Sequence, residues 1–104
     1  MKMAIDTTEF AAGQLAAFKE RMRITSDDED DNLKKMLSSS IVAVALLVGA
    51  DEIDDMLVEL AFERARYVYH DALDEFQTNY ANEIELQAMV HSLKEAEHAR
   101  KKDD

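Results

Sequence analysis

Glu95 and His98 stand three residues apart, the spacing at which one helical face offers a carboxylate and an imidazole to the same metal ion. A carboxylate-bridged di-iron bundle needs two such pairs and a glutamate from each of two further helices. This chain has one such pair, on a polar stretch with no apolar stripe beneath it; His91 and Glu95 also stand four apart, but a third ligand is missing. The acidic run 27–31 suggests a calcium loop. Counted from Asp27, however, Asn32 stands where glycine is needed and Ser38 where glutamate is needed; from Asp28, Leu33 and Ser39 fit no better. Ser38, Ser39, Ser40, Thr25 and the three histidines are the remaining candidates for nucleophilic chemistry. The serines fall inside a helical pattern rather than on a strained turn, and no glycine-rich phosphate loop exists. The expectation is a protein without catalysis, metal or cofactor.

Two stretches point to contact rather than chemistry. Residues 63–71 bring together Arg64, Arg66, Tyr67, Tyr69 and His70, and arginine and tyrosine are enriched at the centres of protein interfaces. The ordinary explanation is that the tyrosines lean on the core while the arginines pair with acids such as Glu59, Glu63 or Asp71. The second stretch, 41–50, is apolar from Ile41 through Val48, so Ile41, Val42, Val44 and Leu46 cannot all face one side. A neighbouring subunit would cover the spare face, and so would a central position in the chain's own bundle. Both explanations stay open for each stretch.

The elements that must hold these residues are helices. The chain has no proline and two glycines among 104 residues, which leaves strand-and-turn architectures without their corner residues. Phe10, Ala11, Leu15, Phe18 and Met22 recur at spacings of three and four and predict a first helix from Thr7 or Thr8. Ser26 or Asp27 is expected to cap the second, with the acids at 28–31 in its first turn and Gly49 ending it. Leu33, Met36, Leu37, Ser40, Ile41, Val44, Leu47 and Val48 mark its inner stripe. A third helix is predicted over 51–71, a break within 72–82, and a last helix over 82–100. Ile84, Leu86, Met89, Val90 and Leu93 form the stripe of that last helix before it turns polar. The expected fold is all-α: a small bundle of about four helices with an extended polar C-terminal helix, one domain over 1–104, with arms at 1–7 and 99–104.

The net charge is -11, with six basic and ten acidic residues in 1–52 and six and thirteen in 53–104. Phosphate binding draws on lysine and arginine, so such a chain is a poor grip for nucleic acid; it repels DNA instead. Absence of cysteine fits a reducing compartment. The apolar run 41–50 is about half the length of a membrane span, so a soluble protein is expected.

Two segments in this order carry a resemblance. One runs Phe18-Lys19-Glu20-Arg21-Met22-Arg23-Ile24-Thr25 through the acidic 26–31 into Asn32-Leu33-Lys34-Lys35-Met36-Leu37. The other runs Leu60-Ala61-Phe62-Glu63-Arg64-Ala65-Arg66-Tyr67-Val68-Tyr69-His70-Asp71-Ala72-Leu73-Asp74-Glu75-Phe76. Together they resemble the head–tail connector (adaptor, or head-completion) proteins of long-tailed bacteriophages, although His70 stands where that family often carries asparagine. The resemblance implies a helical subunit of a homo-oligomeric ring, a dodecamer, beneath the portal protein of the filled head. Such a ring extends the DNA channel, lets DNA pass without sequence-specific binding, and presents a platform for a stopper or tail-completion protein. It implies location in the virion neck, after assembly in the host cytoplasm. An acidic channel wall agrees with that role, because it would not trap the polymer. The alternative is an acidic helical regulator, or DNA mimic, that binds one basic partner.

Overall fold

A computed structural model describes residues 7–102, and all regular structure among them is helical. In order come α1 (Thr7–Met22), α2 (Asp30–Val48), α3 (Asp55–Tyr69), α4 (Leu73–Asn79) and α5 (Ala81–Lys102). The protein is an all-α bundle, as composition and periodicity predict. Among the described residues there are five helices rather than about four, because Leu73–Asn79, inside the stretch where a break is expected, form a short helix of their own that stops at Tyr80. Thr7 opens α1 and residues 99–102 continue α5, while 1–6 and 103–104 of the expected arms lie outside the described residues.

Helix ends follow local chemistry. Gly49 ends α2 in the left-handed region (φ 71°), and the N–H groups of Gly49 and Ala50 both turn back to the Ala45 carbonyl. Arg23 (φ 59°) and Asp71 (φ 57°) end α1 and α3 in the same way, without glycine's freedom. The start of α2 departs from expectation. Ser26 Oγ accepts the Asp28 N–H at 3.1 Å and shapes a turn instead of capping the helix. Lys19 Nζ holds Asp27 and Asp30 at 2.8 Å each, and α2 begins only at Asp30, behind a Glu29 cap position with no side-chain cap bond. α3 likewise starts later than expected, where the Asp54 carboxylate accepts the Leu57 N–H at 2.8 Å.

α2 lies at the centre and packs on α1, α3 and α5. Phe18, Leu33, Leu37, Ile41, Val44, Leu57 and Phe76 are fully buried where the apolar stripes converge, and Phe18 meets Phe62 edge-on at 5.5 Å. The first turns of α5 cross this body. Gln87 Nε2 donates to the Met56 carbonyl at 3.0 Å, and His91 Nε2 lies 3.9 Å from Asp54 Oδ2. From Ser92 onward every described side chain is exposed, so the rest of α5 extends clear of the body. The molecule measures 54 × 29 × 19 Å. No helix is long and apolar enough, among the described residues, to cross a membrane.

Candidate assembly surfaces

The apolar run of α2 divides by helical phase. Ile41, Val44, Ala45 and Val48 point into the chain's own core, so Ile41 and Val44 have no surface left for a neighbour. That corrects their place among the candidate contact residues: the bundle itself accounts for them. Val42, Leu46 and Leu47 point outward, Leu46 with 61% of its surface exposed. Leu46 and Leu47, with Ala43, Arg64, Leu73 and Gln77, line an open groove of about 330 Å³. α4 supplies Leu73 and Gln77, α3 supplies Arg64, and the groove exists because α4 folds back beside α3. Thus the two sequence candidates meet at a single point, Leu46 beside Arg64.

The rest of the Arg–Tyr patch is used inside the chain. Arg66 Nη2 lies 2.8 Å from Glu63 Oε1, and its guanidinium stacks 5.0 Å above the Tyr67 ring; the Glu63 bond raises the Arg66 pKa. Tyr67, Phe76 and Tyr80 form an aromatic cluster with ring centroids 5.3–5.9 Å apart. Asn79 Nδ2 donates to the Tyr67 hydroxyl at 3.0 Å, and the Tyr80 hydroxyl donates to Glu63. Burial pushes the Glu63 pKa up, but the bonds from Arg66 and Tyr80 and the charge of Arg21 outweigh it and hold the carboxyl below its ordinary value. Arg66 and Tyr67 therefore belong to the clamp that fastens α4 to α3. Tyr69 donates to Glu29 at 2.9 Å and ties α3 to the turn before α2. His70 sits exposed at the C-cap of α3, edge-on to Tyr69.

Arg64 differs from its neighbours. Its Nη1 donates to Ser40 Oγ at 3.1 Å, and among the described residues no carboxylate lies within ion-pair distance. Burial lowers the pKa of its guanidinium, yet an arginine stays charged at any physiological pH. A half-buried cation thus stands in the wall of an apolar groove, the sole charged residue of the lining.

Of the stripe expected on α5, Ile84 packs on the core and Val90 is half-buried, but Leu86, Met89 and Leu93 face outward. Ile84, Gln87, Ala88 and His91 meet the body, whereas Leu86, Met89 and Leu93 are each more than half exposed. At about 100° per residue the two sets lie on opposite sides of the helix. The signal was present: α5 carries two stripes at spacings of three and four, and the more polar of the two is the one that packs.

No group of three His, Cys, Asp or Glu among the described residues could hold a metal ion. Glu95 is exposed, and the His98 side chain of the metal-like pair lies outside the described residues. Compared with known proteins, the chain matches no family model, no curated protein and no solved structure.

Proposed function

We propose that this chain is a structural neck protein of a long-tailed bacteriophage, a subunit that works by assembly and performs no chemistry. The observation that carries the reading is the pair of uncovered apolar surfaces, the α2–α4 groove and the outer stripe of α5, on a small chain of charge -11. Monomers gain nothing from such surfaces, which mark contacts with other proteins. The resemblance of residues 18–37 and 60–76 to head–tail connectors supplies the kind of assembly. The chain forms a dodecameric ring, binds portal on one side and a stopper or tail-completion protein on the other, and resides in the virion neck. The acidic surface keeps DNA moving through the ring, since a wall without excess cations offers phosphates no hold.

Electron microscopy of the protein mixed with portal tests this. The expected result is a closed annulus on the portal. A monomer that ignores portal but binds a basic nucleic-acid-binding protein would support the acidic-regulator reading instead, for which the net charge speaks.

A further inference from the structure

The groove and the α5 stripe fit each other. The groove is concave, apolar and holds one cation, Arg64, with no carboxylate partner among the described residues. The stripe is convex: Leu86, Met89 and Leu93 project from a helix at spacings of three and four, the anchor pattern of a helix that lies in a groove. Glu83 and Glu85, both exposed, flank the N-terminal end of that stripe on its two sides. Two copies of charge -11 repel at long range, so a contact between them needs a local charge match as well as apolar burial. Arg64 against a flanking carboxylate provides that match.

We infer that the outer stripe of α5 in one copy docks into the α2–α4 groove of a second copy, with its Glu83–Glu85 end at Arg64. The two patches are different parts of the chain, so the contact is head-to-tail and repeats from copy to copy, closing into a ring or running on as a filament. Each junction removes both uncovered surfaces from water. The contact follows from the two surfaces alone; its closure into a ring rests on the neck reading above.

The chain has no cysteine, which makes a disulfide test clean. Leu46→Cys and Met89→Cys change exposed positions, and each variant is expected to melt like the parent. When the two variants are mixed at high concentration and oxidised, a mixed disulfide dimer should form, while either variant alone should form no disulfide-linked dimer. Adding Arg64→Glu to the Leu46→Cys chain should cut the mixed dimer about tenfold through like-charge repulsion. Dimers of Met89→Cys alone would show α5 pairing with itself and overturn the inference, as would dimers of Leu46→Cys alone or no dimer at all. A mixed dimer without an annulus on portal would keep this contact and discard the neck reading. An annulus without the mixed dimer would do the reverse.

Discussion

Among single residues, the helix stops carry the clearest consequences. Asp71 adopts φ 57° without being glycine and places a carboxylate at the negative end of α3, so both its backbone and its charge are unfavourable there. Asp71→Gly is expected to stabilise the fold by about 1 kcal/mol, read as a higher Tm. Gly49 has open space around the position of a Cβ, so Gly49→Ala meets only the strain of φ 71° and should cost about 1 kcal/mol. Glu63 gives a pH signature. Its folded pKa lies below the ordinary 4.5, so its contribution to stability is complete well above 4.5 and is lost as pH falls through the lower folded value. Thermal melts should therefore show Glu63→Gln less stable than the parent near neutrality, with the gap closing in acid. The Arg–Tyr patch separates in the same way. Tyr67→Ala should cost about 3 kcal/mol of stability because it empties the aromatic clamp, whereas Arg64→Ala, which gives up the Ser40 hydrogen bond, should cost about 1 kcal/mol and weaken assembly.

At the scale of elements, α2 shows how far periodicity reads. Its inner stripe was legible because six of the eight expected positions, Leu33, Leu37, Ser40, Ile41, Val44 and Val48, are buried, with Met36 half-buried beside them. The expected stripe also included Leu47, which faces out at 38% exposure. Leu37→Ala should cost about 3 kcal/mol, while Leu46→Gln, on the opposite face, should change stability by less than about 0.5 kcal/mol. Chemical denaturation of the two variants checks the contrast. The start of α2 differs from expectation at 27–29 only: Asp30 and Asp31 do fill its first turn, but the fold brings Lys19 to Asp27 in the preceding turn as well as to Asp30. The α5 stripe departs in part for a related reason. Leucine and methionine outrank glutamine and histidine in any hydrophobic count, but Gln87 packs inward with Nε2 on the Met56 carbonyl and Oε1 buried without a hydrogen-bond partner among the described residues, while the leucine face stays outside.

The whole molecule is an elongated acidic body with one helix extending from it. Net charge governs how copies meet. At low salt the charge of -11 opposes association over a Debye length of about 30 Å, and at about 0.15 M salt that range shrinks to about 8 Å. Self-association should therefore strengthen as salt rises over this range, as measured by sedimentation, because the apolar contact and the desolvated Arg64 pair are screened far less than the general repulsion.

Composition and spacing determined that the chain is helical, where the inner stripe of α2 runs, and that Gly49 ends α2. These are local properties: a missing proline, a period near 3.6 and a left-handed glycine act over a few residues. Tertiary structure alone decided which half of the 41–48 run is covered, which α5 face packs, and that Arg66 and Tyr67 serve the fold while Arg64 stands apart. Those outcomes depend on where α4 and α5 come to rest, and that is set by partners distant in sequence, Glu63 with Tyr80 and Gln87 with Met56. The groove beside Arg64 exists only once those contacts are made.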